Sequence, residues 1–505
     1  PGFVVNRFFV PWLNEACILL QEGVATTAQI DSIAREAFNI GMGPFALMNL
    51  TGPTIALHAT DYLAEQLETP RYTGAKNLRE MVDKGELWKI GDEEYYDENL
   101  SITVKERLLG QVFAVAGQIV DEEICSKEDV DRGAKVGLRW DEGPFEIANR
   151  IGIKEAYRMA EKYCKLVNFK IPITLEKQFN ISEDFIFSYI DVEINDSVAI
   201  VRLNRPEAMN ALNVKLVTEL GDVVDRLNQN SSVNTIVLEG AGKAFVAGAD
   251  VKFFVDKINE DSFQEIYDFT SHGHEVLNKI ENSSKVTIAL TTGLALGGGL
   301  ELALSCDYRI GTNRTQFRFP ETNIGIYPGL GGTQRTTRIC GLEIARYAVL
   351  AGNFLNSETA KAFGLLTHLV DVNDIDKTID EIINLGKNND KYLKNSIDEG
   401  HSIVKFARSF YTDENLYSIL NGSDLEDFDM SDNQVSRQIK FLSRTAPIAL
   451  STASKLLDIA NNKDTEFNQG LKQELDNLEY IFSTSDSLEG LSALIEGRRA
   501  KYKNS

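Results

Sequence analysis

The stretch "ALGGGLELALSCDYR", Ala295 to Arg309, sets three glycines ahead of an apolar run and plants one carboxylate, Glu301, inside it. An ionised carboxylate is costly to bury without partners. Glycines permit unusual backbone angles and let a ligand approach bare N–H groups. A helix opening at Gly298–Gly299 would aim unpaired N–H groups, and the positive end of its dipole, at an anionic atom. Glu301 would then stand in the first turn. The dipole favours an acid there by about 0.3–1 kcal/mol, and taken alone that is a sufficient account of Glu301. On that account its replacement would cost about a kcal/mol or less.

A second carboxylate changes the balance. Glu321 follows in "FRFPETNIG", after a short strand expected at Phe317 to Phe319 and just past a proline. Two carboxylates at the ends of neighbouring elements, facing a glycine-built anion site, can divide acid and base work. The surrounding text fits such a site. "YIDVEINDSVAIVRL" alternates around Asn195-Asp196 as a hairpin does, and short apolar strands are expected at Thr235–Leu238 and Val286–Leu290 with helical segments between them. Strands alternating with helices indicate an α/β domain. Its three glycine-marked turns, "AFVAGADV", "GLALGGGLELA" and "FPETNIGIYPGLGGTQR", lie where α/β folds bind ligands, beyond the strand ends.

The first third has a different texture and repeats itself. "RFFVPWLNEA" at Arg7 has a counterpart in "RLLGQVFAVA" at Arg107, an offset of one hundred that also pairs Asp31 with Asp131 and "GPFALMNLTG" with "GPFEIANRIG". Thr26 with Gln29 reads as a capping box, and Ser126 with Asp129 repeats it with a shorter acid. Behind Thr26, Ile30, Ile33, Ala34 and Ala37 share one helical face. Two related all-α modules are expected over residues 1–98 and 99–170, then a linker over 171–186 and the α/β domain over 187–505. The helical part shows no GxGxxG, no nucleophile elbow and no clustered acid–base set. From its residues alone it reads as a packing or dimerisation module.

Two family resemblances follow from these motifs. "LNRPEAMNALN", "AFVAGADVK", "GGGLELA", "PETNIGIYPGLGGTQR" and "AGNFLNSETAKAFGLL" occur in that order, and from about Phe187 onward the chain resembles the crotonase superfamily, specifically the enoyl-CoA hydratases. The resemblance implies a ββα-spiral α/β fold with C-terminal helices, acting on an acyl-CoA without a cofactor. It implies that the N–H groups of Ala249 and Gly298 form an oxyanion hole for the thioester carbonyl. Glu301 would accept a proton from water and Glu321 would protonate the α-carbon. Ala249, Asp250, Val251 and Lys252 would line the CoA site, with Lys252 a local cation, and Gly298 and Gly329 would shape the pocket.

"PGFVVNRFFVPWLNEACILLQEGVATTAQIDS" and "GMGPFALMNLTG" resemble the C-terminal domain of 3-hydroxyacyl-CoA dehydrogenases. "LREMVDKGELWKIGDEEYYDE" resembles that family's linker with altered text. In the family the asparagine of "VNR", here Asn6, contacts substrate. Its NAD-binding domain and catalytic histidine would stand before Pro1, so NAD is expected only for a dehydrogenase half that is incomplete here. The order of the two resemblances implies a bifunctional acyl-CoA enzyme.

Related activities stay open at this point. Enoyl-CoA isomerases rely on one dominant acid–base residue, and 3-hydroxyisobutyryl-type acyl-CoA hydrolases lack the first glutamate, so the presence of both favours hydration. The stretch from Val370 to Thr445 is longer than in simple hydratases and carries the acidic run "DLEDFDMSD", as something in the hydrolase branch does. "LSTASKLLDIANN" and "GLKQELDNLEYIFSTSD" resemble the segment that assembles trimers, and the dehydrogenase part suggests a dimer, so a homo-oligomer is expected.

Bulk properties set the remaining bounds. A net charge of −23 over 505 residues argues against nucleic acid or an anionic membrane surface as partner. Five dispersed cysteines without a CxxC pair read as reduced thiols of a cytoplasmic protein. His272 and His274 have no cysteine or third histidine nearby in sequence, which argues against a metal site. The least charged window, Val286 to Leu300, is fifteen residues broken by glycines, too short for a spanning helix.

Overall fold

Asp31 and Asp131 do the same work one hundred residues apart. Each accepts two backbone N–H groups at the start of a following helix: Phe45 and Ala46 at 2.8 and 2.9 Å for Asp31, Phe145 and Glu146 at 2.8 Å each for Asp131. First-turn N–H groups have no intrahelical partner, so a carboxylate placed there fixes where the helix begins. Gly43 and Gly143 allow this approach, since a β-carbon on either would run into the aspartate. The computed structural model describes residues 4–68, 72–91, 95–388, 392, 397–423 and 428–505. It divides into two units, Pro1–Ser188 and Tyr189–Ser505, each considered by itself.

In the first unit the offset of one hundred is obeyed by whole elements. Helices Thr27–Phe38, Pro44–Thr51 and Pro53–Gln66 recur as Lys127–Leu138, Pro144–Ile151 and Ile153–Leu166. Val4–Gln21 and Glu98–Asp121 open the two copies. Thr26 caps through a full capping box with Gln29, and Ser126 accepts the Asp129 N–H. The face predicted behind Thr26 is buried at Ile30, Ile33, Ala34 and Ala37.

Each copy also closes with a fifth helix, Lys76–Lys84 in the first and Ile173–Ile181 in the second. Residues 171–186, expected as a linker, therefore contain the last helix of the second copy. Asn49 exchanges two hydrogen bonds with the backbone of Trp88, and Asn149 does the same with Phe185. These partners bury an aromatic side chain at the end of each copy. No strand occurs among the described residues of this unit.

In the second unit the chain winds as a spiral that feeds two sheets. β1 (Ile190–Asn195) and β2 (Val198–Leu203) form the expected hairpin, with Asn195 opposite Val198. Then β3 (Thr235–Gly240) joins the large sheet and β4 (Ala244–Ala247) the small one. β5 (Val286–Thr291) and β6 (Leu294–Leu296) repeat the pattern, as do β7 (Tyr308–Gly311) and β8 (Gln316–Arg318). β9 (Leu355–Asn356) and β10 (His368–Leu369) complete the edges. The orders are β1-β2-β3-β5-β7-β10 and β4-β6-β8-β9. From β2 onward the large sheet is parallel, and its central strand β5 is apolar and buried throughout, as a parallel strand covered on both faces is. This is the ββα-spiral α/β fold expected from the sequence.

Helices Gly332–Cys340, Leu342–Leu350 and Pro447–Asn461 pack together beside the sheets. The long stretch after Val370 forms helices Ile375–Leu385, Ser402–Phe410, Asp413–Asn421 and Asn433–Leu442. It joins the same core through Val404, Ala407, Phe410, Leu416 and Leu442. Residues 424–427 of the acidic run lie outside the described residues. Among the described residues no helix is long and apolar enough to cross a membrane, and no group of three or more His, Cys, Asp or Glu could hold a metal ion.

Candidate active site

Parallel pairing of β4 with β6 sets Ala247 opposite Leu296. Two residues further along each strand stand Ala249 and Gly298, so the register delivers them to equivalent places beyond the strand ends. Leu212 pairs beside Ala249 by donating to the Gly248 carbonyl at 2.9 Å and accepting from the Asp250 N–H at 2.8 Å. The N–H of Ala249, between those two bonds, therefore faces the other way. Gly298 opens the helix Gly298–Ser305, and a first-turn N–H has no acceptor one turn back. Asn210 fixes the neighbouring loop: it is fully buried, and its amide donates to the carbonyls of Ala241, Ala244 and Phe245.

Glu301 lies in the first turn of the Gly298–Ser305 helix and is 1% exposed. Its Oε1 accepts the N–H groups of Leu330 and Gly332, each at 2.7 Å. Its Oε2 is turned toward Gly298, 3.8 Å from where a β-carbon on that glycine would stand. Burial pushes the carboxyl up to about 7, against the pull of the two N–H groups and of the Arg335 guanidinium. Glu321 opens the short 3-10 turn Glu321–Ile324, after β8 and Pro320. Its Oε2 is buried without a hydrogen-bond partner among the described residues. Burial first, and the charge of Glu301 second, push it well above the usual carboxylate range. The two carboxyl groups predicted from the sequence are thus brought together electrostatically, with different surroundings.

Residues 198–504 match the family described as Enoyl-CoA hydratase/isomerase. The chain belongs to that family. Ahead of it, residues 2–98 and 104–179 match the 3-hydroxyacyl-CoA dehydrogenase C-terminal domain. The chain is 37% identical over 194 residues to the short-chain-enoyl-CoA hydratase of Clostridium acetobutylicum, covering 38% of this chain and 73% of the relative. It is 38% identical over 185 residues to the crotonyl-CoA hydratase of Syntrophomonas wolfei, covering 36% of this chain and 70% of the relative. The crystal structure of an enoyl-CoA hydratase from Rhodobacter sphaeroides superposes with a TM-score of 0.53 at 20% identity, over 63% of this chain and 92% of that one. That likeness bears on the fold alone.

The other expected positions of this enoyl-CoA hydratase/isomerase chain divide. Asp250 pairs with Arg205, Oδ2 to guanidinium at 3.1 Å. Val251 is half-buried and Lys252 exposed in the first turn of the helix Val251–Asn259. Gly329 lies in the turn that leads to Leu330, and its carbonyl takes the Nε2 proton of His274 at 2.5 Å. Asn6 belongs to the first unit, half-buried at the start of the helix Val4–Gln21.

Three further residues, none of them assigned to this site from the sequence, hold the turn that faces Glu301. Glu474, fully buried on the helix Phe467–Asp476, accepts the Gly331 N–H at 2.6 Å and the Thr333 hydroxyl. Burial and the charge of Glu301 push it up to about 8. His274, buried beside the same turn, is pushed down to about 4 by burial and stays neutral at pH 7. Arg335, fully buried, donates to the Leu330 carbonyl at 2.9 Å and pairs with Glu281 at 2.8 Å. An acid three residues after Leu471, on the apolar face of its helix, is the signal that could have marked Glu474.

Proposed function

We propose that the second unit hydrates 2-enoyl-CoA thioesters of the crotonyl-CoA type to 3-hydroxyacyl-CoA. The observation that carries this reading is the unlike provision made for two buried carboxyl groups. Glu301 has two N–H donors, which stabilise its anion, so it is the base that takes a proton from water. Glu321 has one buried oxygen with no donor and a negative neighbour, which outweigh its own backbone N–H and the charge of Arg318, so it holds its proton and is the acid that delivers it to the α-carbon. Hydrogen bonding to the charged form and like-charge proximity separate the two groups in this sense.

Adding water to the enoyl thioester builds enolate charge on the carbonyl oxygen. The N–H groups of Ala249 and Gly298 are the proposed donors to that oxygen, and one such donor is worth about 3–4 kcal/mol. Gly329 shapes the pocket beside them. Lys252, exposed in its helix, is the proposed cation for the CoA phosphates, with Ala249, Asp250 and Val251 along the same wall. Hydration by this route needs no cofactor.

The first unit carries the dehydrogenase-type domain of a bifunctional hydratase/3-hydroxyacyl-CoA dehydrogenase arrangement, and Asn6 is its proposed substrate contact. Its described residues offer no strand–glycine turn–helix to cradle a dinucleotide pyrophosphate, so no hydride step is derived for it. A homo-oligomer and a cytoplasmic location complete the proposal.

Loss of the enoyl-thioester absorbance of crotonyl-CoA, with 3-hydroxybutyryl-CoA as product, tests the reading. Conversion of a 3-enoyl-CoA without hydration would replace it by isomerisation, and release of free CoA thiol would replace it by hydrolysis.

A further inference from the structure

Consecutive backbone groups of one turn are shared between two buried carboxyl groups. Leu330 N–H goes to Glu301, Gly331 N–H to Glu474, Gly332 N–H to Glu301 and the Thr333 hydroxyl to Glu474. The carbonyls on the same turn are also held, Gly329 by His274 and Leu330 by Arg335. The turn has little room to adjust by itself. Gly331 has φ +91° and a β-carbon there would meet the Arg335 guanidinium, while one on Gly332 would stand 2.6 Å from Oε1 of Glu301. Glu474 comes from a helix 143 residues further along the chain, and Tyr327 ties that helix back by donating to the Glu474 carbonyl at 2.5 Å.

We infer that Glu474 is a positioning residue for Glu301. By taking the Gly331 N–H and the Thr333 hydroxyl, it holds the turn so that the Leu330 and Gly332 N–H groups bear on Oε1 of Glu301 and leave Oε2 to the water. The inference rests on the reading of Glu301 as the base. The titratable and charged groups that face Glu474 are the Glu301 carboxyl, the Arg335 and Arg338 guanidinium groups, the Tyr327 hydroxyl and His274, whose Nε2 lies 3.6 Å away. Two aligned N–H donors favour the charged form of a carboxyl, so a slack turn makes Glu301 harder to ionise.

The experiment compares Glu474→Gln with Glu474→Ala in the full chain. Both lack the charge, but only the glutamine keeps an acceptor for the Gly331 N–H. With crotonyl-CoA, Glu474→Ala should lower kcat at least tenfold with KM within threefold. Its acid limb of kcat/KM should stand at least half a pH unit above that of Glu474→Gln. Hydrogen exchange at residues 330–332 should accelerate in Glu474→Ala and stay near wild type in Glu474→Gln, a readout that needs no turnover. If Glu474→Ala does not fold, Thr333→Val carries the test and must shift the limb and the exchange in the same direction. Coincident limbs and exchange rates in the Gln and Ala variants would overturn the inference. Wild-type protein without hydratase activity would overturn the functional reading instead, while the exchange comparison still decides the role of Glu474 in holding the turn.

Discussion

A β-carbon on Gly297 would collide with Oε1 of Glu321. Gly297 also adopts φ +47° and ψ −121°, a region essentially closed to other residues at a cost of about 1–3 kcal/mol. The glycine before the Glu301 helix is therefore also the space that the second carboxyl occupies. Gly297→Ala should lower the folding free energy by about that cost. It should also lower hydration of crotonyl-CoA by roughly the 10²–10⁴ expected when a general acid is misplaced. Urea unfolding and steady-state kinetics check the two halves, and near-wild-type turnover would remove Glu321 from the chemistry.

Glu301→Gln and Glu321→Gln keep shape and remove proton transfer. Each should cut kcat by about 10²–10⁴, and the double variant should lose far less than the product of the two, because groups acting as a unit are non-additive. Stability should move the other way. A first-turn acid alone would contribute about a kcal/mol or less, but Glu301 is fully buried and titrates near 7 rather than 4.5. A carboxyl raised in the folded state costs nothing below its unfolded value and loses stability as pH rises through the folded one. Glu301→Gln should therefore match wild type near pH 4 and gain on it by on the order of 3 kcal/mol toward pH 8. Thermal melts at the two pH values check the sign, and equal melting shifts at both would count against a buried titrating Glu301.

Asp31 and Asp131 give the first unit a matched test. Asp131→Ala leaves the Phe145 and Glu146 N–H groups without their acceptor, and Asp31→Ala does the same to Phe45 and Ala46. At about 1–3 kcal/mol per buried unpaired group, each variant should lose roughly 2–6 kcal/mol. The two losses should be similar, because the repeat places each acid against the same two positions of the same helix. Denaturant titration of the first unit's transition measures both. A loss confined to one copy would break the equivalence.

What the sequence displays and what it hides follow from distance along the chain. Glu301, Glu321 and the glycine turns are local motifs whose residue types already state a chemistry, and the strands that lead to them are short apolar runs of the right length. The β8 strand runs Gln316–Arg318, one residue earlier at each end than expected. The helix Ile173–Ile181 escaped because comparison at a fixed offset of one hundred fails there. Its counterpart begins at Lys76 and its aromatic partner at Trp88, an offset of 97. Glu474 was hidden for a different reason. Its meaning lies in alternate N–H groups shared with Glu301 across 143 residues, which no window of sequence contains.

The pH dependence of hydration follows from the same two carboxyl groups. On the proposed mechanism, activity requires Glu301 ionised and Glu321 protonated. Glu301 titrates near 7, so kcat/KM should rise through that region as the base loses its proton. Glu321 is pushed well above the carboxylate range by burial and by Glu301 itself, so the profile should fall only at higher pH, when the acid is lost. The expected curve is a bell on the free enzyme, whose limbs belong to the coupled pair rather than to either residue alone. Removing one charge should release the other. In Glu301→Gln the repulsion on Glu321 is gone, so the descending limb of the residual activity should move to lower pH. In Glu321→Gln the ascending limb should stay close to that of wild type, since burial is the main cause that raises Glu301 and Glu321 is still protonated, and so uncharged, where Glu301 ionises. Profiles of kcat/KM for wild type and both variants decide the matter. A descending limb that stays put in Glu301→Gln would mean that the two carboxyl groups do not sense each other, and the division into base and acid would fall with it.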